Sequence, residues 1–359
     1  MRFSYPVLVA ITLACSDSAT LDEEARTLEI MKPLILNLEV LQLRTQGKHI
    51  GDSFTKMRNG IAKAQDAIIA ILSHPKMAAL ERLHSAPVVV KRFVFQFGNH
   101  VVAQVLVRAK ESSNKDVVRI ATKLLKAQFE SWGRRSAANV FKLMKLDDAA
   151  SEEYRDFSWK ITVLNDYIAA RLTDLPLKKT LLRTLVKGYG GMDKLVAILH
   201  GARQSNDDQA KQMAETQLTN MFDLWKTRDT SPERAVDLLK MKGRPEAFTA
   251  ANLDVLAAYT RHYYKDRSGG PPPLIKVLSD GIRSHGQLAV ALSTQLSKKE
   301  TPQLRELQLE LFKRWCASGG APENVIGRYL QHIGEKDADL VAKDFRDYWN
   351  KRGTLGVAR

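Results

Sequence analysis

Eight histidines, two cysteines and one glycine cluster are the residues of this 359-residue chain whose types could support chemistry. The histidines (His49, His74, His84, His100, His200, His262, His285 and His332) form no i, i+4 pair and stand at no metal-ligand spacing from a carboxylate. Gly188-Tyr189-Gly190-Gly191 is rich in glycine but lacks the Lys-Ser/Thr that a phosphate loop needs, so it reads as a turn between helices. Cys316 directly follows a tryptophan, has no histidine near it in sequence, and reads as a half-buried thiol. These patterns point to no catalytic residue, no metal and no cofactor.

Aromatic residues carry the stronger pattern. Trp132, Trp225 and Trp315 are separated by 93 and 90 residues, and each follows a phenylalanine by three positions: Phe129, Phe222 and Phe312. Apolar residues and glutamine recur further back at offsets of 3, 4, 7, 8 and 11 from each Trp, which is one face of an α-helix. Helix starts follow the tryptophans at Ser136, at Ser231-Pro232-Glu233 and at Ala321-Pro322-Glu323. Ser, Pro and Glu there suit an N-cap, a first helical position and an acidic first turn. Each unit closes on Leu164 with Tyr167, Leu256 with Tyr259, and Phe345 with Tyr348, the tyrosines spaced by 92 and then 89 residues. Three landmarks recurring in step define an internal repeat.

The elements that position these residues are helices throughout. Only Val88 to Phe97 favours a strand by propensity; its register matches the segment around Leu185, so a helix is expected there too. The expected fold is all-α: tandem bundles of about 90 residues, each of about five helices, stacked into an extended rod. The expected division is 1–19, a signal peptide; 20–50, a leader and adapting helix; 51–92, a degenerate first unit; and modules at 93–180, 181–272 and 273–356. Ser268-Gly269-Gly270-Pro271-Pro272-Pro273 punctuates the last junction. The signal reading rests on Arg2, the apolar run Val7 to Cys15, and the small residues Ser16, Ser18 and Ala19. That run is too short to span a bilayer, which takes about 20 apolar residues. Removal of the leader would leave Cys316 without an internal disulfide partner.

With 55 Lys and Arg against 40 Asp and Glu, the formal charge is +15. No run of five basic residues occurs, and the charges alternate at helical spacing, which describes solvated helix faces. A basic nucleic-acid-binding protein acting in a nucleus is the alternative reading. Phe129, Trp132, Tyr167, Phe222, Trp225, Tyr259, Phe312, Trp315 and Tyr348 are expected in the repeat core, because they share the buried register. Trp159, Tyr189, Tyr263, Tyr264 and Trp349 break the repeat and are the candidate partner-binding residues, although Tyr189 aligns with Ile282 of the next unit.

The combination resembles the oomycete (Phytophthora and downy-mildew) host-translocated RxLR-type effectors built from tandem LWY modules, over roughly residues 90 to 356. The leucine-rich segments Leu185 to Leu199 and Leu278 to Leu292 carry the likeness, with Val102 to Leu106 as a weaker copy. The three Phe-x-x-Trp helices, Asn139 to Leu146, the Asn252 to Tyr259 helix and the leader complete it. Where that family shows Arg-x-Leu-Arg followed by Glu-Glu-Arg, this chain has Asp22-Glu23-Glu24-Ala25-Arg26 first and keeps only the last two letters in Leu41-Gln42-Leu43-Arg44. The sequence itself leads to the expectation of a monomer without a membrane span, and the resemblance implies a secreted virulence protein. It would enter plant cells, in cytoplasm or nucleus, and suppress immunity by binding host proteins. A host phosphatase scaffold is one partner that the resemblance suggests.

Overall fold

The computed structural model describes residues 85–147, 154, 156–174, 176–318 and 322–354, together with Ile68, Ile69, Leu72 and Ser73. The expected signal peptide, the expected leader with its Leu41 to Arg44 segment, and most of the expected first unit lie outside the described residues. Those residues form fifteen α-helices and one 3-10 turn, with no strand among them. In chain order the helices are α1 (Ala86–Phe97), α2 (Asn99–Ala109), α3 (Lys115–Ser131), α4 (Ala137–Leu143), α5 (Phe157–Arg171), α6 (Leu177–Tyr189), α7 (Met192–Gln204) and α8 (Asp208–Thr227). There follow α9 (Pro232–Leu238), the 3-10 turn Pro245–Ala247, α10 (Ala250–Tyr264), α11 (Leu274–Ile282), α12 (His285–Lys298), α13 (Pro302–Ala317), α14 (Pro322–Leu330) and α15 (Glu335–Thr354). Among the described residues no helix is long and apolar enough to cross a membrane.

Polar caps set where many of these helices begin. Asn114 accepts hydrogen bonds from the N–H groups of Asp116 and Val117 at the head of α3, and Asp207 does the same for Gln209 and Ala210 at α8. Ser136, Ser231, Thr249, Ser284 and Thr301 cap α4, α9, α10, α12 and α13. Each satisfies one or two of the donors that a helix start leaves unpaired. Pro232 and Pro302 occupy the first turn, where a missing N–H costs nothing.

The valine- and phenylalanine-rich stretch is helical, as its register implied, because Val89, Val90 and Phe93 share one side and are buried there. Gly98 ends α1 at φ +82, a backbone conformation that costs a side-chain-bearing residue energy. Its N–H donates to the carbonyl of Val94.

The chain clusters into two compact units. The first comprises residues up to Leu146 together with Trp159–Leu177, and holds α1 to α4 and most of α5. In it α1 packs on α2 and α3, and α2 packs on α3. Val102, Leu106, Ala121, Val140, Leu146 and Tyr167 lie at the centre without exposed surface. The second comprises Asp147–Ser158 and everything from Lys178 onward. There α7 packs on α8 and α10, and α12 packs on α13 and α15. The second and third Trp helices therefore belong to one compact unit. The joint between them is α9 against α11, with the Pro245–Ala247 turn seated on α12. Gly281 makes that joint possible: a Cβ there would lie 2.7 Å from Val236 Cγ2 and 2.8 Å from the Glu233 carbonyl oxygen.

Candidate functional site

Each Trp helix carries its Phe-x-x-Trp pair inward. The ring centroids lie 5.3 Å apart for Phe129 and Trp132, 6.2 Å for Phe222 and Trp225, and 5.5 Å for Phe312 and Trp315. All six rings are buried. Tyr167 closes the first cluster at 5.7 Å from Trp132, and its hydroxyl donates to the carbonyls of Gly133 and Arg135 in the turn after the Trp helix. Tyr259 meets Trp225 edge-on at 4.9 Å, and its hydroxyl donates to the Thr230 carbonyl in the equivalent turn. The tyrosines thus fasten the closing helix to the turn that launches the next one.

The third cluster is built differently. Tyr348 is half-buried and lies 5.8 Å from Phe312, while Phe345 takes the fully enclosed place at 5.4 Å from Trp315. Tyr329, from α14, stacks flat on Trp315 at 4.8 Å, and His285 stacks on Tyr329 at 5.3 Å. With one face of Trp315 covered by Tyr329, Tyr348 sits at the rim and not at the centre.

Titratable groups tie helices together. Asp254 of α10 lies 3.7 Å from His200 Nδ1 and 3.7 Å from Arg203 Nη2, both of α7, and accepts from Gln303 Nε2 of α13 at 3.1 Å. At 3.7 Å the His200 contact is too long for a hydrogen bond, and the carboxylate is shared with a guanidinium. That geometry suits a clamp between helices. Burial holds the His200 imidazole below its ordinary pKa; Arg203 adds to the depression and Asp254 opposes it. His262 Nε2 sits 3.1 Å from Asp223 Oδ1, joining α10 to α8. Among the described residues no group of three His, Cys, Asp or Glu could hold a metal ion.

The five residues expected at a partner surface sit on four helices. Tyr263 is not a surface residue: it is 5% exposed, lies 5.9 Å from Tyr259, and has its hydroxyl 3.3 Å from Asp229 Oδ1. Its position four residues after Tyr259 places it on the same buried side of α10. Arg267 covers the outer face of its ring at 3.9 Å. Tyr264 is half-buried beside it at 5.2 Å. Tyr189, at the end of α6, is half-buried with its hydroxyl oxygen enclosed, and burial, then the charges of Asp147 and Tyr154, push its pKa up. Trp159 on α5 is half-buried, and Trp349 on α15 is half-buried 6.2 Å from Phe345.

Sequence reasoning missed the most open large apolar side chain among the described residues. Phe95 is 78% exposed, and Val88 on the same side of α1 is 39% exposed. The signal was present: Phe93, Val94 and Phe95 are 100° apart on a helix, so one core cannot take all three.

The described residues thus form an all-helical fold with internally repeated Trp clusters. The chain is similar in sequence to RxLR effector proteins of an oomycete. An "RxLR effector protein" of Phytophthora infestans is 26% identical over 285 residues, covering 77% of this chain and 53% of that protein. A second RxLR effector protein of the same organism is 28% identical over 248 residues, covering 67% of this chain and 34% of that protein. The chain thus spans about half or less of the length of these relatives. The crystal structure of PcRxLR12 aligns with 89% of this chain and 99% of its own at 16% identity, with a TM-score of 0.37, too low to bear on the fold. No family model matches the chain.

Proposed function

We propose that this protein is a secreted virulence effector that works inside host plant cells by binding host proteins and suppressing immunity, without catalysis of its own. Its likeness to Phytophthora RxLR effector proteins over more than two thirds of the chain is the observation that carries this reading. The internal economy of the fold agrees with it. The Phe and Trp of the repeat, with Tyr167 and Tyr259, are buried in the core, and the His–carboxylate pairs join helices. Surface is what remains for function. The scaffold subunit of a host phosphatase is one partner within this reading, and the modules 93–180, 181–272 and 273–356 are the units that would present the contact faces.

Affinity capture from plant leaf extract with the purified chain as bait, washed at high salt, tests it. A discrete host protein retained through the wash supports the reading. Recovery of nucleic acid alone, stripped as salt rises, would contradict it, because phosphate contacts weaken steeply with salt.

A further inference from the structure

We propose that the outward face of α1, the stripe Val88, Lys91, Arg92 and Phe95, is the docking surface for an acidic amphipathic helix of a host protein. The proposal rests on the host-binding reading above and names the site and the partner chemistry.

Offsets of 0, 3, 4 and 7 place these four residues on one side of the helix. The opposite side, with Val90 and Phe93, is buried against the first unit's own core. A phenylalanine left 78% exposed is not needed by that core, so its apolar ring is available to a partner. Burying it would supply the central apolar contact that small interfaces depend on.

Charge selects what can cover it. Helix α1 contains no acidic residue, and Lys91 is exposed while Arg92 is half-exposed. From Ser85 to Leu146 the chain carries twelve Lys and Arg against three Asp and Glu, whereas the whole chain has 55 against 40. This stretch of sequence is thus more basic than the chain as a whole. A complementary surface needs an apolar residue to lie on Phe95 and Val88, with carboxylates one turn away to meet Lys91 and Arg92. A helix supplies both at i, i+3 and i+4, and packs ridge into groove against another helix. Phosphates would satisfy the two cations and leave Val88 and Phe95 wet, so a nucleic acid fits less of the face.

The test uses the full chain and a fluorescent synthetic helix of about 18 residues, with leucine along one face flanked by glutamate. Its counterpart replaces every glutamate with lysine. The expected result is micromolar binding of the Glu/Leu helix, weakened by salt, and no binding of the Lys/Leu helix. Phe95→Ala should weaken binding about ten-fold or more with an unchanged thermal melt, because the side chain is outside the core. The double variant Lys91→Glu with Arg92→Glu should lose the Glu/Leu helix and gain the Lys/Leu one. Equal binding by wild type and both variants would overturn the proposal. So would tighter binding by the wild type of single-stranded RNA or of vesicles rich in phosphatidylserine. Extract capture with wild-type and Phe95→Ala baits separates the two levels. A host protein lost by the variant supports the face; one retained equally by both overturns the face and leaves host binding standing. If the wild type retains no protein, host binding falls, and the peptide titration still decides the face.

Discussion

Tyr167 and Tyr259 do at two places what the repeat requires at each: they fill the space beside a tryptophan and donate a hydrogen bond to the turn that follows it. Tyr259→Phe keeps the ring and removes the bond, so it should cost about 1 kcal/mol, read from urea denaturation. Both hydroxyls have their pKa raised, chiefly by burial; Arg171 and Arg135 partly oppose this at Tyr167, and Arg267 at Tyr259. The neutral phenol is the form that the fold holds. Its contribution is complete below the ordinary tyrosine value of about 10 and is lost as pH rises through the higher folded value. In an alkaline titration followed by tyrosinate absorbance, these two should therefore ionise late, accompanied by unfolding. Ionisation of all nine tyrosines in one ordinary step would contradict that. The core identity of the Phe-x-x-Trp pairs was legible because three copies share one register. Tyr263 belongs to the core and not to the surface because its four-residue spacing from Tyr259 puts both on one side of α10. The third tyrosine position was not legible, since Tyr329 reaches Trp315 from another helix and no local spacing encodes that.

Helix α11 meets α9 through a glycine, and the joint tolerates little else. Gly281→Val would drive its side chain into Val236 and the Glu233 backbone, and should destabilise the second unit by about 1–3 kcal/mol. A melt matching the wild type would mean that the two helices are not pressed together there. Ser231→Ala, which removes the cap of α9, should cost about 1 kcal/mol. Starts such as Ser231-Pro232-Glu233 could be read directly, because capping chemistry is local. The helicity of Val88 to Phe97 ran against propensity and could be read only through the repeat. Burial of Val89, Val90 and Phe93 supplies the physical reason.

The second compact unit holds both Trp225 and Trp315, which the sequence assigned to separate modules. Repetition in sequence does not reveal how much surface neighbouring copies share; the α9–α11 joint and the turn against α12 bind the two into one unit. Trp225→Ala should cost about 3–5 kcal/mol. It should also raise amide hydrogen exchange in α12 and α13, one copy away. Exchange confined to α7 through α10 would show that the copies open independently.

On the proposed reading, this molecule would hold a host protein against its surface while its aromatic repeat does structural duty. Affinity capture from leaf extract, with wild type and Trp225→Ala as baits below the variant's melting temperature, tests that most directly. A discrete host protein is expected to be retained by the wild type at high salt, and retained also by Trp225→Ala wherever the first unit carries the contact. A bait that retains only salt-labile nucleic acid would contradict it.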